Sequence, residues 1–264
     1  MKKLSKLLVA SVLLLGMLVT VVGCGGETAD TPDNQANQVK TLVVGTNASF
    51  APFEFIENNE KLGFDMDLIR AIGEVQGYEV EIQHMDFKAL IPALQTSKID
   101  CAIAGMSITP ERLESVDFSE AYFNSGLIIA VQEDNEDIAG LADLKGKKLA
   151  AQIGTIGAGA CDDVKAEDSS TEVKFFDDVT VAFMELEKGG VDAVINDQAV
   201  TLNYLQTTDN SKVKTVGEVF QADDEYGIAA KKGNTEMLTV INEGLAKLQE
   251  NGEFQKIYDK WIAQ

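Results

Sequence analysis

The sequence predicts an α/β protein made of two units in tandem, each an alternation of apolar strands with amphipathic helices. The alternation begins at Thr41 and is repeated in the second half of the chain. A length of 264 residues is too long for one small module and too short for three domains. With 45% hydrophobic and 25% charged residues, the composition is that of an ordinary globular protein.

The first unit is predicted to contain three strands and three helices. Residues 41–46 form a β-branched apolar run typical of a buried parallel strand. Apolar residues recur every three or four positions from Phe64 to Val75, which predicts a helix that ends near Gly77. The remaining predicted elements are a strand at 79–85, a helix at 87–96, a buried strand at 101–106 and a helix that begins at Pro110 behind an N-cap at Thr109.

The second unit repeats this alternation. A strand at 147–152 and a glycine-rich turn lead into a helix from about Ile156. The following predicted elements are strands at 172–177, 191–197 and 226–232, helices at 181–188 and 199–205, a long helix around 238–248 and a terminal segment at 254–262. The apolar run at 126–132 would carry the chain out of the first unit. Local pattern leaves open which unit the final helices pack against.

The charge balance excludes several classes of protein. The chain has 22 Lys and Arg against 43 Asp and Glu, a net charge of −21, and such a surface repels nucleic acid. A single histidine removes the material for multi-histidine zinc sites and for most Ser-His or Cys-His nucleophiles. We therefore expect a binding protein without metal or cofactor, with no nucleic-acid partner.

The N-terminus resembles the export signal of a bacterial lipoprotein. Three lysines precede 16 uncharged residues at 7–22, fewer than the ~20 that a membrane helix needs. Gly23 and Cys24 then resemble a lipobox, so residues 1–23 are predicted to be a signal peptide and Cys24 to carry lipid. The alternative is a plain secretory signal with a cysteine nearby. Residues 24–40 have almost no apolar content and are predicted to be a disordered tether.

The two other cysteines, Cys101 and Cys161, would permit one disulfide in an exported protein. Cys101 lies in an apolar strand and Cys161 in a helix far along the chain, which favours two buried thiols instead. A metal site built from this pair and His84 is not expected.

Several motifs along the chain resemble one family. They are NASFAPFEF (47–55), GFDMDL (63–68), MDFKALIPALQTSKID (85–100), GMSITPER (105–112), VDFSEAYF (116–123), IGTIGAGA (153–160), VDAVINDQ (191–198) and ENGEFQKIYDKWI (250–262). Their order and spacing resemble the polar amino-acid-binding lipoproteins of bacterial ABC importers, in extracytoplasmic solute-binding protein family 3, and most closely its glutamine-, histidine- and arginine-binding branch. The resemblance covers nearly all of residues 41–264.

The resemblance implies a two-lobed periplasmic-binding-protein-like fold of type II, with two hinge strands and the ligand in the cleft between the lobes. The chain would leave lobe 1 near 122–125 and return near 222–226. Lobe 1 would comprise residues 41–124 and 225–264, and lobe 2 residues 125–224.

Arg112 is the candidate for binding the carboxylate of an amino acid, because a guanidinium fork binds a carboxylate bidentately. Gly105 and Ser107 lie just before its helix and could present backbone N–H groups to the same anion, and Gly105 would allow close approach. The resemblance also places Met106 in this site. Without the family pattern, Arg112 would be read as a solvated helix charge.

On the second unit, residues 154–159 match neither glycine-rich phosphate-binding motif, so a nucleotide site is not indicated. The resemblance instead implies that Thr155 meets the ligand carboxylate from across the cleft. Asp197 ends a predicted strand and is the candidate partner for the ammonium group. Asp197 could also be the N-cap of the following helix, and the two roles are compatible.

Phe50 and Phe87 match the two aromatic walls of the family's site, where they would sandwich the ligand side chain. Phe53 and Phe55 are predicted to belong to the core.

Asn47 and Gln152 match positions that some relatives use to read the far end of the ligand. Glutamine binders carry an Asp, a Lys and a His–Asp pair where this chain has Asn47, Gln152 and Asn196-Asp197. A neutral or moderately polar side chain fits this less charged pocket, and arginine or lysine stays open.

The resemblance thus implies an extracytoplasmic lipoprotein, a monomer, that captures a polar L-amino acid and delivers it to an ABC permease. The alternatives are a cyclohexadienyl or arogenate dehydratase-like enzyme on the same fold and a tethered amino-acid sensor. An enzyme would need a general acid, and the only acid among the predicted site residues, Asp197, is taken by the ammonium group. We therefore expect no enzyme.

Overall fold

The computed structural model describes residues 40–209 and 211–263. The predicted signal peptide, Cys24 and the tether before Lys40 lie outside the described residues.

The described chain contains thirteen strands, eight α-helices and a 3-10 helix at Leu141–Leu144. The strands are β1 Lys40–Thr46, β2 Ser49–Phe50, β3 Glu54–Glu57, β4 Glu60–Leu62, β5 Tyr78–His84, β6 Cys101–Ala102, β7 Val116–Phe118, β8 Phe123–Gln132, β9 Lys148–Gln152, β10 Glu172–Phe176, β11 Ala193–Asp197, β12 Val213–Tyr226 and β13 Ala229–Lys231. The helices are α1 Phe64–Gln76, α2 Phe87–Gln95, α3 Pro110–Ser115, α4 Ile156–Glu167, α5 Val179–Glu187, α6 Gln198–Thr207, α7 Thr235–Glu250 and α8 Glu253–Trp261.

Two five-stranded sheets organise the molecule. In the first sheet the order is β5-β1-β6-β13-β7, with β1 parallel to both β5 and β6 and β13 antiparallel to its neighbours. In the second the order is β10-β9-β11-β8-β12, with β8 antiparallel to both β11 and β12. Strands β2, β3 and β4 form a small antiparallel sheet of their own.

The last two helices return to the first sheet's side of the molecule. Both α7 and α8 pack against α1, which lies on β5. Gly244 of α7 allows this approach, because a Cβ at that position would come within 2.7 Å of the Ile72 side chain of α1. Tertiary packing thereby settles the question that local pattern left open.

Two long strands, β8 and β12, connect the sheets. The first residue of β8, Phe123, pairs with the last residue of β12, Tyr226. The next two pairs are Asn124 with Glu225 and Ser125 with Asp224. Past two register shifts, the same strands pair again within the second sheet. The sequence did not predict β12, because most of its residues are polar and only its two ends are buried.

Two predicted strands differ from the structure. The strand predicted at 101–106 is confined to Cys101–Ala102, and Gly105 beyond it has a left-handed φ of 52° that bends the chain. The strand predicted at 226–232 is divided, because Tyr226 ends β12 whereas Ala229–Lys231 belongs to the first sheet.

Other local predictions are confirmed. The Thr109 hydroxyl caps α3 by accepting the Arg112 N–H at 3.2 Å. Cys101 and Cys161 are buried free thiols, and burial raises the pKa of both, that of Cys161 to about 12. Within the described part of the chain, no helix has the length and apolarity to cross a bilayer.

Candidate functional site

A small cavity lies between the ends of the two sheets, with walls from both. Every ligand-binding residue predicted from the sequence except Met106 lines it. The lining residues are Asn47, Phe50, Glu54, Phe87, Ala104, Gly105, Ser107, Arg112, Gln152, Thr155, Ile156 and Asp197.

Met106 lies instead in a buried apolar cluster with Leu90 and Val116. Gly105 and Ser107 line the cavity, whereas the Met106 side chain between them is fully buried in the core. Met106 contributes a backbone contact, since its carbonyl accepts the Gly227 N–H at 3.0 Å.

The Arg112 side chain is held at the cavity by hydrogen bonds to two backbone carbonyls, one from each half of the chain. Its Nη1 donates to the Ser107 carbonyl at 2.6 Å and its Nη2 to the Gly154 carbonyl at 2.9 Å. The guanidinium carbon lies 5.3 Å from the centre of the Phe87 ring, in a cation–π contact. Burial lowers the pKa of Arg112, while the nearby charges of Asp224 and Asp197 oppose that shift. Arg112 is therefore a half-buried cation held in place by hydrogen bonds, rather than a solvated helix charge.

The backbone beside Arg112 differs from the prediction at Gly105. The Gly105 N–H donates to the Asp65 Oδ2 at 2.9 Å, so it is not available to a ligand anion. A Cβ at Gly105 would lie 3.0 Å from the Phe50 ring, at a positive φ that disfavours side chains, so glycine is needed here. The Ser107 hydroxyl donates to the Asp224 Oδ2 at 2.9 Å.

Thr155 brings the N-terminus of α4 to the cavity. Its hydroxyl accepts the Ala158 N–H at 3.2 Å as the N-cap and donates to the Gln152 carbonyl at 2.8 Å. The positive end of a helix dipole favours an anion at this wall, across from Arg112.

Asp197 presents a buried carboxylate from the end of β11. Its Oδ1 accepts the Tyr226 hydroxyl at 2.5 Å and the Ser125 hydroxyl at 3.0 Å, from the two strands that connect the sheets. It occupies the N-cap position of α6, but its side chain makes no capping hydrogen bond. Burial raises the pKa of Asp197 to about 6, against the lowering effect of the two hydroxyls. Asp197 is therefore anionic at neutral pH and able to hold a cation.

Two amides join the sheets at another part of the cavity wall. The Gln152 Nε2 donates to the Asn47 Oδ1 at 2.8 Å and to the Asp177 carbonyl at 2.8 Å. The Asn47 Nδ2 donates to the Met85 carbonyl at 3.1 Å. The rim adds the Ser49 hydroxyl, which donates to the Asp178 Oδ1 at 2.7 Å. The Gln152–Asn47 and Ser49–Asp178 bonds therefore connect the first part of the chain with residues on the side of the second five-stranded sheet.

The four phenylalanines considered in the sequence have different surroundings. Phe50 and Phe87 both lie in the cavity wall, and both are nearly buried. Phe53 is a core residue, with edge-on contacts to Phe123 and Tyr226. Phe55 is only half-buried and packs edge-on against Trp261.

Sequence reasoning missed the acids Glu54 and Asp65 and the hydroxyls of Ser125 and Tyr226. Glu54 is fully buried and lines the cavity, and Asp65 is fully buried beside Gly105. The available signal was a carboxylate between two large apolar residues in the segments 52–55 and 63–66, since charged residues in apolar surroundings rarely serve packing. For the hydroxyls no local signal exists.

Comparison with known proteins identifies the group. Residues 42–264 match the model of the bacterial extracellular solute-binding proteins, family 3. A probable histidine-binding protein of Neisseria gonorrhoeae is 33% identical over 246 residues, covering 91% of this chain and 90% of the relative. The solved structure of an ancestral arginine-binding protein bound to arginine is 47% identical, with a TM-score of 0.81 over 84% of this chain and 98% of the other. An ancestral arginine-binding protein bound to glutamine is also 47% identical, with a TM-score of 0.80 over 85% and 98% of the two chains.

Proposed function

Because the chain belongs to family 3 of the bacterial extracellular solute-binding proteins, we propose that it captures a polar L-amino acid between two lobes and delivers it to the permease of an ABC importer. The observation that supports this proposal is that Arg112 and Asp197 line the same cavity. Arg112 comes from the side of the first five-stranded sheet and Asp197 from the second sheet. A free amino acid has an α-carboxylate and an α-ammonium group close together, so it fits a site that offers one cation and one anion.

We assign lobe 1 to residues 41–124 and 225–264 and lobe 2 to residues 125–224. The two five-stranded sheets support this division, because β8 and β12 are the strands that run between them. Closure about these strands would bring the two halves of the site together and exclude water from the ligand.

In this assignment Arg112 binds the ligand carboxylate, assisted by Thr155 and the N-terminus of α4, and Asp197 binds the ammonium group. Arg112 would turn from its two carbonyl partners to the stronger carboxylate acceptor. Phe50 and Phe87 would pack against the aliphatic part of the ligand side chain.

The far end of the ligand would meet Asn47, Gln152 and the unpredicted acid Glu54. The two amides favour a neutral polar group, and Glu54 provides a carboxyl for a cationic one. One similar structure holds arginine and the other glutamine, so these two amino acids are the first candidates.

The relatives are binding proteins of importers, and this protein is likewise a binding protein rather than an enzyme. The pocket contains a second acid that the sequence did not indicate, because Glu54 lines it beside Asp197. The conclusion therefore rests on the relatives and not on the acids of the pocket.

Titration of residues 25–264 with the twenty L-amino acids tests the proposal. We expect at least one polar amino acid to bind in a calorimeter and to raise the unfolding temperature, since a ligand at 100 times its Kd stabilises a fold by about 2.7 kcal/mol. The D-enantiomer of the same amino acid is the matched control. No response to any amino acid, or turnover of prephenate or arogenate, would contradict the proposal.

The family is extracellular, which places the protein outside the cytoplasm. We further propose that residues 1–23 are a signal peptide, that lipid on Cys24 anchors the protein to the membrane through the tether, and that the protein is a monomer. Light scattering of the released protein measures the last of these.

Replacing Cys24 with alanine is expected to move nearly all of the protein from the membrane fraction to the soluble fraction outside the cytoplasm. The reason is that the acyl chains on this residue supply the membrane affinity. Fractionation of cells that express the full chain measures the shift, with the buried Cys161→Ala variant as control. Membrane association that survives the loss of Cys24 would contradict the anchor.

A further inference from the structure

Two buried carboxyls are neighbours at the cavity, Glu54 in its wall and Asp65 behind the lining residue Gly105. Glu54 of β3 and Asp65 of α1 both have 0% of their surface exposed, and Glu54 lines the cavity. The Asp65 Oδ2 accepts the Gly105 N–H at 2.9 Å and the Tyr122 hydroxyl at 2.9 Å. The Asp65 Oδ1 and both oxygens of Glu54 have no hydrogen-bond partner among residues 40–209 and 211–263.

The charged and titratable groups around Glu54 do not stabilise a negative charge on Glu54 in addition to the one on Asp65. Asp65 on α1 and Asp197 on β11 are themselves acids, and both raise the pKa of Glu54, after burial as the main cause. Tyr122, which also faces the pair, is a neutral donor to Asp65. Arg112, the one basic residue among the cavity's lining residues, has Ser107 and Gly154 carbonyls as its partners.

Hydrogen bonding distinguishes the two acids. Asp65 accepts from two donors, which favour its anion, although burial still raises its pKa to about 6. Glu54 accepts from none, so its neutral form is favoured and its pKa lies well above the usual value. Two neighbouring buried carboxyls cannot both ionise cheaply, whereas one proton between them lets Glu54 donate to Asp65.

We propose that Glu54 and Asp65 share one proton in the free protein, and that an amino acid with a cationic side chain displaces this proton on binding while a neutral amino acid leaves it in place. This inference rests on the proposed function, because it requires the ligand side chain to reach Glu54. In the displacement the Glu54 O–H bond breaks, the proton passes to the buffer, and the new carboxylate pairs with the cation of the side chain. The total charge of the occupied cavity is then the same for both ligand classes.

The sign of the pH dependence follows from this exchange. Below the pKa of the pair, release of one proton raises the affinity for a cationic ligand about tenfold for each unit of pH increase. The affinity for a neutral ligand has no such contribution from Glu54 and Asp65. One pocket would therefore favour neutral amino acids at lower pH and accept cationic ones increasingly as pH rises.

Calorimetry of the protein with L-arginine and with L-glutamine, each in two buffers of different ionisation enthalpy, counts the protons. We expect about one proton released with arginine and none with glutamine. Infrared spectroscopy of the free protein should show the C=O stretch of a protonated carboxyl, retained with glutamine and lost with arginine. Glu54→Gln should remove both the band and the proton release, whereas Glu57→Gln, exposed on the same strand, should change neither.

A free protein without the protonated-carboxyl band, or arginine binding without proton release, would overturn the shared proton. Selection of neutral amino acids alone would overturn the displacement step. Failure of the proposed function is distinguishable, since it appears as the absence of binding for every amino acid while the band is present. The band and the proton count are measured on the unaltered protein, so neither depends on the folding of a variant.

Discussion

Replacement of Arg112 by alanine is expected to weaken amino-acid binding by at least about 100-fold, or roughly 3 kcal/mol, while the protein stays folded. The guanidinium is half-buried, and it lies on Phe87 with its two Nη atoms directed at backbone carbonyls rather than at an acid. A ligand carboxylate that loses this partner would be left in the site without its charge-assisted hydrogen bonds. The fold should survive, because α3 keeps its cap at Thr109, which accepts a backbone N–H.

Calorimetric titration with the amino acid identified by the ligand panel measures the loss, and thermal unfolding checks the fold. Arg70→Ala is the matched control, because it removes the only other arginine, which lies exposed on α1 and donates to the Lys61 carbonyl. Arg112→Lys should retain part of the affinity, since lysine keeps the charge but not the planar fork. An Arg112→Ala protein that binds normally would remove this residue from the site.

The Asp197→Asn variant is expected to lose a similar factor, about 100-fold, for any ligand that carries an α-ammonium group. The amide keeps the size of the side chain and an oxygen that can still accept from Tyr226 and Ser125, so the change is mainly one of charge. Glutaramic acid, which is glutamine without its amino group, provides the comparison. Glutaramic acid should bind the variant and the unaltered protein with the same affinity. If glutamine and glutaramic acid lose the same factor in affinity, Asp197 supports the structure of the site and does not bind the ammonium group.

The same carboxyl predicts how binding depends on pH. Since the pKa of Asp197 is raised to about 6, lowering the pH through that value protonates the acid and should weaken binding of a neutral amino acid such as glutamine. Glutamine is used because its side chain is neutral, so its binding is not coupled to the proton shared by Glu54 and Asp65. The dependence should be absent in Asp197→Asn, and titration of affinity between weakly acidic and neutral pH measures it.

Tyr226 should tune this dependence because its hydroxyl stabilises the Asp197 anion. In Tyr226→Phe the pKa of Asp197 should rise, so the loss of affinity begins at higher pH. Tyr122→Phe is the matched control, since that tyrosine is also buried and its hydroxyl donates to Asp65 instead. A pH profile that is the same in both variants would contradict the positioning role of Tyr226.

Much of the site could be predicted because its residues stand in short motifs. Arg112 follows its N-cap and proline, and Thr155 and Asp197 each lie where a strand passes into a helix. Such places are set by local hydrogen bonding and periodicity, which a single sequence displays. The prediction that the Gly105 N–H would face a ligand anion failed because of a long-range contact. That N–H donates to Asp65, 40 positions earlier in the chain.

By itself, the sequence determined that this protein has two α/β units, and its resemblance to one family pointed to Arg112 and Asp197 as candidates for one site. Periodicity encodes the two units, because each apolar run must bury its own face. Only the tertiary structure decided that α7 and α8 return to α1, that Tyr226 and Ser125 hold Asp197, and that Glu54 and Asp65 meet beneath the cavity. Those contacts join residues that are distant along the chain, and their partners are chosen by packing between elements rather than by the pattern within any one of them.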